Sequence, residues 1–146
     1  MLTPPEIAQS LLAAGESKAR LPLGKMLLLA ILAGAYIALA GVGATAAAVT
    51  LESGSLAKLL SACVFPAGLS MVILAGSELF TGNCLMVMAL LERRITPAQL
   101  LRNWLTVYLG NAVGGAAVAA LAVYSHTASL FGDGLARSMV SIAESK

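Results

Sequence analysis

The stretch from Leu59 to Leu91 constrains the fold more than any other part of the sequence, because it is apolar and carries a single charged residue, Glu78. As one straight helix it would be roughly 50 Å long at about 1.5 Å per residue. The hydrocarbon core of a bilayer is only about 30 Å thick, so the stretch is too long for one ordinary span and too short for two. We therefore expect one crossing made of two half-helices with irregular backbone between them.

The break is expected in Ala75-Gly76-Ser77-Glu78-Leu79-Phe80-Thr81-Gly82-Asn83, where glycines and polar residues cluster. Gly76 and Gly82 permit non-helical backbone dihedral angles. The side chains that can hydrogen-bond the freed backbone groups are those of Ser77, Glu78, Thr81 and Asn83. Irregular backbone at membrane depth persists only where it is buried in protein or lines a cavity. The segment is therefore a candidate pore or binding site.

Composition places the whole chain in the membrane. It is 59% hydrophobic and 11% charged, with a mean hydropathy of +0.89, which is far more apolar than a soluble domain. A net charge of +2, without Lys/Arg clusters interleaved with aromatic residues, argues against a nucleic-acid partner. Cys63 and Cys84 lack metal-site or redox spacing and are predicted to be small buried hydrophobic residues, and no cofactor or metal is expected.

The chain is predicted to be an all-α integral membrane protein organised as one transmembrane domain. Thr3-Pro4-Pro5-Glu6 and Thr96-Pro97 have the pattern of helix starts. The expected segments are a cytoplasmic amphipathic helix at the membrane surface (1–23), a first span (24–51), a broken second span (57–91), a third span (97–125) and an external tail (126–146). In the tail, Gly132-Asp133-Gly134 is expected to form a turn before a short amphipathic helix. Three crossings put six of the nine Lys and Arg residues on the side of the amino terminus. The positive-inside rule then makes that side cytoplasmic, in a multi-pass protein of the inner (cytoplasmic) membrane.

The break brings together candidate pore residues. A half-helix that starts near Thr81 would present unpaired N–H groups and a positive dipole end to a small anion. Thr81 and Asn83 either cap that end or also donate hydrogen bonds to a passing ion. For Glu78 we favour a structural role, in which its carboxylate accepts backbone N–H bonds, over a role as proton carrier.

Four apolar residues, Phe65, Leu69, Leu79 and Phe80, can form constrictions that select by size and dewetting, or can instead face lipid or the core. The spacing of the chain's Ser, Cys, His and carboxylate residues does not indicate a catalytic arrangement, so we do not expect an enzyme. His126, beyond the third span, is interpreted as a solvated interfacial residue.

Three segments of the sequence resemble the formate/nitrite transporter family, which includes hydrosulfide channels. They are Gly34-Ala35-Tyr36-Ile37-Ala38 in the first span, Ala75 to Asn83 in the second, and Asn103-Trp104-Leu105-Thr106-Val107-Tyr108-Leu109-Gly110-Asn111 with Gly114 in the third. The three segments occur in the family's order, and together they cover the first half of a family member.

The resemblance implies a homopentamer of aquaporin-like protomers, each made of two inverted three-helix repeats around its own pore for small monovalent anions (formate, nitrite or hydrosulfide). It places Leu79, next to Phe80, at the inner constriction, with Thr81 facing the anion and the loop residues Ser77, Glu78, Gly82 and Asn83 around it. Phe65 and Leu69 match the outer constriction. Lys146 matches a lysine that attracts anions to the outer vestibule.

The chain also departs from the family pattern, because helices four to six and the central histidine of the fifth helix are missing. The other wall of the pore is expected from the rest of a longer protein, from another chain, or from a second copy in the opposite orientation, which the cation bias disfavours. Two other interpretations stay open: a three-helix membrane subunit with a structural or docking role, and a thiol enzyme or carrier that uses Cys63 and Cys84. The sequence does not choose among the anions, or between a channel and proton-coupled transport.

Overall fold

The computed structural model describes residues 3–145, and the regular structure in this part of the chain is helical throughout. Eight α helices follow one another, with a short 3₁₀ turn at Thr127–Ser129 before the last. The helices are α1 (Pro4–Ala19), α2 (Leu23–Ala48), α3 (Gly54–Val64), α4 (Pro66–Leu74), α5 (Phe80–Asn83), α6 (Met86–Leu91), α7 (Pro97–Tyr124) and α8 (Gly134–Glu144).

Three helical segments are long and apolar enough to cross a membrane: Leu23–Ala48, Gly54–Leu74 and Pro97–Tyr124. The second of them joins α3 and α4, which meet where Pro66 opens α4. This finding confirms the prediction of an all-α chain with three long apolar helices, as expected of an integral membrane protein. The predicted first and third spans fall on α2 and α7.

The predicted helix starts are present as capped ends. The Thr96 hydroxyl accepts a hydrogen bond from the Gln99 N–H at 3.2 Å, and Pro97 occupies the first turn of α7. At the start of α1 the Thr3 N–H donates to the Glu6 carboxylate at 2.6 Å. This hydrogen bond, together with one from the Thr3 hydroxyl, holds the pKa of Glu6 below its usual value.

Glycines let α2 and α7 pack backbone against backbone. A Cβ added at Gly114 would lie 2.0 Å from the Ile31 carbonyl oxygen, and one added at Gly34 would lie 2.1 Å from the Asn111 carbonyl oxygen. A Cβ added at Gly110, one turn before Gly114, would lie 2.4 Å from the Ala30 Cβ of α2. These three glycines therefore allow the close contact between α2 and α7.

Helix α1 is docked on the end of the molecule where α6 ends and α7 begins. Gly15 lies against Ala89 of α6, and Leu12 is buried in the same apolar cluster. The Arg102 guanidinium on α7 donates to the carbonyls of Ala19 and Leu21 at 2.9 and 3.0 Å, which satisfies the carboxyl end of α1. The sequence predicted that this helix lies at the membrane surface. In the structure, the side of α1 that carries Leu12 and Gly15 packs on other helices of the chain.

The carboxyl-terminal part follows its predicted pattern. Gly132 and Asp133 adopt left-handed dihedral angles, with φ of 61° and 64°, and form the turn before α8. Leu135, one residue into α8, is fully buried. The predicted turn and short amphipathic helix are confirmed.

Both cysteines are exposed, so the prediction that they are buried was wrong. Apolar residues elsewhere are exposed in the same way, for example Leu74 at 87% and Tyr124 at 83%. In a chain whose apolar surface is available to lipid or to further helices, hydrophobicity does not imply burial within the chain itself.

Candidate functional site

The helix that precedes the candidate site ends in a Schellman motif. Helix α4 stops at Leu74, and Gly76 adopts a left-handed conformation with φ of 60°. The Gly76 N–H donates to the Ile73 carbonyl at 3.1 Å, and the Ser77 N–H donates to the Val72 carbonyl at 2.9 Å. The chain is then non-helical until α5 begins at Phe80. We call the segment from Ala75 to Leu79 the connecting loop.

Asn111 of α7 holds the connecting loop in place. Its amide nitrogen donates to the Ala30 carbonyl of α2 at 2.8 Å and to the Glu78 carbonyl at 2.9 Å. Its amide oxygen accepts the Phe80 N–H at 2.9 Å. One side chain therefore ties together α2, the connecting loop and the first residue of α5. The Glu78 N–H adds a direct bond to the Leu29 carbonyl of α2 at 3.3 Å.

A buried polar network lies on the other side of the loop. The Glu78 carboxylate, only 4% exposed, accepts from the Lys18 ammonium at 2.8 Å and from the Asn83 amide at 2.7 Å. Lys18 also donates to the Asn83 side-chain oxygen at 2.9 Å, and the Asn83 amide donates to the Asn103 oxygen at 2.8 Å. The Trp104 indole N–H donates to the Asn83 carbonyl at 3.0 Å. We call Lys18, Glu78, Asn83 and Asn103 the polar network.

The partners of Glu78 differ from those that the sequence predicted. Backbone N–H donors were expected for its carboxylate, and within residues 3–145 the donors are the side chains of Lys18 and Asn83. The reason is that the N–H groups of Ser77 and Glu78 themselves bond to Val72 of α4 and Leu29 of α2. These two N–H groups are therefore not available to the carboxylate, and a cation from α1 balances its charge instead.

An open groove runs past the connecting loop, with a volume of about 480 Å³. Of the residues singled out in the sequence, the groove is lined by Leu69, Ser77, Glu78, Leu79, Thr81, Gly82 and Asn83. Thr81 is exposed in it, and Lys18 lines it from α1. Seven of the predicted site residues are therefore gathered along one concave surface.

Two predicted constriction residues lie outside the lining of this groove. Phe65, between α3 and α4, is 47% exposed and lies one helical turn before Leu69 in the chain. The Phe80 ring makes edge-on contacts with the rings of Trp104 and Tyr108 on α7, at centroid distances of 6.1 and 5.5 Å. Lys146, the remaining predicted site residue, lies outside the described residues.

The start of α5 offers backbone donors to the groove side of the molecule. The Phe80 N–H is bonded to Asn111, and the next amide with a partner is that of Asn83, which bonds to the Leu79 carbonyl. The N–H groups of Thr81 and Gly82 make no hydrogen bond within the described part of the chain. A Cβ at Gly82 would meet nothing within 4 Å, so another group can approach the backbone closely here.

No individual role in the site was predicted from the sequence for four of its residues: Lys18, Asn103, Trp104 and Asn111. A signal for Lys18 existed, since a single buried acid requires a counter-ion and Lys18 is a cation close to the first span. Asn103 and Asn111 are polar residues within an apolar helix, which is itself a sign of a specific partner. Two buried polar atoms, the Ser77 hydroxyl and the Asn103 amide nitrogen, have no partner among residues 3–145.

Comparison with known proteins gives a consistent result. A family model described as formate/nitrite transporter matches residues 5–146. A probable formate transporter of Methanothermobacter thermautotrophicus is 42% identical over 122 residues, covering 80% of this chain and 44% of that protein. A formate channel of Haemophilus influenzae is 47% identical over 98 residues, covering 65% of this chain and 34% of that protein.

A formate channel of Bacillus thuringiensis matches along almost the whole chain. It is 37% identical over 146 residues, which is 98% of this chain and 56% of that protein. The chain thus spans between about a third and just over half the length of these three relatives.

Proposed function

The chain belongs to the formate/nitrite transporter family, and we propose that it forms one wall of a pore for small monovalent anions in the cytoplasmic membrane. The anions proposed are formate, nitrite or hydrosulfide. Formate stands first because the three relatives described above are two formate channels and a probable formate transporter. The relatives are named as transporters and channels, which fits our proposal that the chain is not an enzyme.

The observation that carries the proposal is the exposed groove at Thr81. Helix α4 ends at Leu74 and α5 begins at Phe80, and we propose that these helices form a single crossing broken at mid-membrane. Irregular backbone at that depth requires internal hydrogen bonds, and Asn111 and the polar network supply them. The groove side keeps two free amides and the Thr81 hydroxyl, which are donors suited to an anion.

In the proposed mechanism the donors at Thr81 replace part of the hydration shell of the anion, while apolar side chains restrict the path on either side. Leu79 forms the inner restriction, and Phe65 with Leu69 forms the outer one. Phe80 supports the inner restriction from behind by packing on Trp104 and Tyr108. Ser77, Glu78, Gly82 and Asn83 hold the shape of the loop.

The assembly is also part of the proposal. Because the chain spans 44% of the Methanothermobacter protein, the opposite wall of the pore is assigned to helices that follow in a longer protein or belong to another chain. We propose an aquaporin-like arrangement with an inverted second repeat, a cytoplasmic amino terminus, and five protomers in the assembly. Lys146 is assigned to the outer vestibule. Native mass spectrometry of the complete protein in detergent tests the pentamer, since any other stoichiometry contradicts it.

Flux measurements with the complete protein in liposomes test the pore. We expect Thr81→Val to slow formate flux about tenfold to a hundredfold, because losing a hydrogen bond to a charged group is worth about 1.5–3 kcal/mol. Leu79→Ala and Phe65→Ala should instead raise the relative flux of larger monocarboxylates by widening the path.

Leu74→Ala is the matched control, because Leu74 is an exposed leucine outside the groove lining. Its flux should equal that of the unaltered protein. Flux that is indifferent to Thr81→Val, Leu79→Ala and Phe65→Ala alike would remove the pore assignment.

A further inference from the structure

The helical chain after the connecting loop is interrupted a second time. Helix α5 ends at Asn83, and α6 begins only at Met86. Between them, backbone N–H groups donate to the third residue back, as in a 3₁₀ helix, where an α helix would bond to the fourth. These N–H to carbonyl bonds run from Leu85 to Gly82, from Val87 to Cys84 and from Met88 to Leu85, at 3.2, 3.2 and 3.1 Å. We call residues 82–88 the tight segment.

The tight segment takes the helical donor away from the Asn83 carbonyl. In a continuous α helix that carbonyl would accept the Val87 N–H, which here bonds to Cys84 instead. The Trp104 indole N–H on α7 takes its place, at 3.0 Å from the Asn83 oxygen. Asn83 is fully buried, so this carbonyl needs a partner from within the protein.

Trp104 contacts both ends of α5. Its ring lies edge-on against that of Phe80, with centroids 6.1 Å apart, and its N–H bonds to Asn83. Residues three apart in a helix lie on the same face, so Phe80 and Asn83 both face α7. Thr81 and Gly82 come about 100° and 200° around the helix from Phe80 and so lie on the opposite face. Both are exposed there and line the groove.

Without the indole N–H, the tight segment has another way to satisfy the buried carbonyl. The Val87 N–H would return to Asn83, and the segment would relax from about 3.0 to about 3.6 residues per turn. That change is about 20° per residue, or about 60° over three residues. Helix α6 is packed on α1 through Ala89 and Gly15, so α5 would turn instead and carry Thr81 away from the groove.

We propose that Trp104 is a positioning residue of the pore. Its indole N–H holds the Asn83 carbonyl, keeps the tight segment wound, and thereby keeps Thr81 directed into the groove. The importance of Thr81 for transport rests on the pore function proposed above, whereas the direction of its side chain can be measured without transport. Trp104 acts through α5 and is not itself part of the groove lining.

The test replaces Trp104 by benzothienylalanine, an isostere in which sulfur stands in place of the indole N–H. The ring contact with Phe80 is kept, and only the hydrogen-bond donor is removed. Thr81→Cys reports the direction of the side chain, in the complete protein carrying Cys63→Ala and Cys84→Ala in liposomes. A water-soluble methanethiosulfonate should modify this cysteine more slowly by about fivefold or more, because an unpaired buried carbonyl disfavours the observed arrangement by that factor.

Tyr108→Phe is the matched control. Tyr108 supplies the other ring packed on Phe80, at 5.5 Å, and is 59% exposed. The substitution keeps the ring and removes only the hydroxyl, so the rate at position 81 should not change. Trp104→Phe, which also removes the indole N–H, should slow the reaction as the isostere does.

Equal rates with tryptophan and its isostere at position 104 would overturn the positioning role, even in a protein that transports formate normally. A faster reaction would overturn it too, because a loosened or unfolded protein exposes its cysteines, whereas a turned α5 hides this one. If the indole N–H controls the rate at position 81 while formate flux through the protein with Thr81 intact is the same with and without it, only the pore function is contradicted.

Discussion

Glu78 is a buried carboxylate whose negative charge would oppose an anion pathway if it stood alone. The Lys18 ammonium lies 2.8 Å from it, and the Asn83 amide donates to its other oxygen. The charge is therefore balanced within the protein, and the hydrogen bonds hold α1, the connecting loop and α5 together. At the scale of single residues, this pairing allows an acid to remain next to the proposed position of an anion.

We expect the ion pair between Lys18 and Glu78 to stabilise the protein more than the exposed pair between Glu16 and Arg94 does. Removing one partner of a fully buried ion pair costs about 3–5 kcal/mol. Here the larger cost is expected for Lys18→Met, which leaves the buried Glu78 carboxylate without its cation, whereas the Lys18 side chain is 29% exposed and can be solvated. We expect Glu78→Leu and Lys18→Met each to destabilise the protein, with a coupling energy of about 1–3 kcal/mol in a double-mutant cycle. Unfolding of the complete protein in detergent measures the cycle.

The control cycle uses Glu16→Leu and Arg94→Met, whose side chains are 30% and 42% exposed. Exposed pairs contribute about 0–1 kcal/mol, so this coupling should be small. Equal coupling energies in the two cycles would contradict the structural role given to Glu78.

The residues of the site were only partly predictable from the sequence. The sequence identified the loop because two glycines and four polar residues interrupt an apolar run. It did not identify the partners, since Lys18 and Asn111 are 60 and 33 residues away from Glu78. The Phe80 ring likewise packs on Trp104 and Tyr108, which are distant from it in the sequence. Spacing along the chain does not predict such contacts.

At the scale of helices, the close packing of α2 on α7 fixes the position of Asn111 and thereby that of the connecting loop. Gly114 and Gly34 remove the side chains that would separate the two backbones. Asn111 then reaches both the Ala30 carbonyl on α2 and the Glu78 carbonyl. The glycines are thus connected to the site through one asparagine, although none of them lines the groove.

Gly114→Ala is expected to lower both stability and transport. The added methyl would lie 2.0 Å from the Ile31 carbonyl oxygen, so α2 and α7 must move apart. Overpacking of this kind typically costs about 1–3 kcal/mol. Thermal unfolding and formate flux of the complete protein measure the two effects.

Gly115→Ala is the matched control, since a Cβ at the adjacent position meets nothing within 4 Å. It should be neutral, or stabilising by up to about 1 kcal/mol through helix propensity. The packing argument is wrong if the two alanine variants behave alike.

The helices themselves were largely predictable because their signals are local. Runs without charge indicated α2 and α7, and Thr96 with Pro97 indicated the start of α7, which is the observed first turn. The docking of α1 was not predicted, because a helix with one apolar face has the same pattern whether it covers lipid or α6. The exposure of Cys63 and Cys84 was not predicted for a similar reason, since the sequence pattern does not show whether an apolar residue packs within the chain or is left for lipid or further helices to cover.

At the scale of the whole molecule, the chain presents the candidate pathway as an open surface. The groove residues Leu69, Leu79 and Thr81 lie along one side, and Phe65 is exposed. In the formate channels with which it shares 37% and 47% identity, the matched region is 56% and 34% of the length. We therefore propose that the second half of the pore covers the open side.

The central claim, that Thr81 faces an anion-filled path, is tested most directly by Thr81→Cys in the complete protein carrying Cys63→Ala and Cys84→Ala. We predict that a small water-soluble thiol reagent modifies this cysteine in liposomes, that modification blocks formate flux, and that formate slows the reaction. Leu109→Cys, on an exposed apolar face of α7 outside the groove lining, should stay unmodified because we expect lipid or further helices to cover that face. A cysteine at position 81 that is as unreactive as the one at position 109, or that reacts without any loss of flux, would contradict the account.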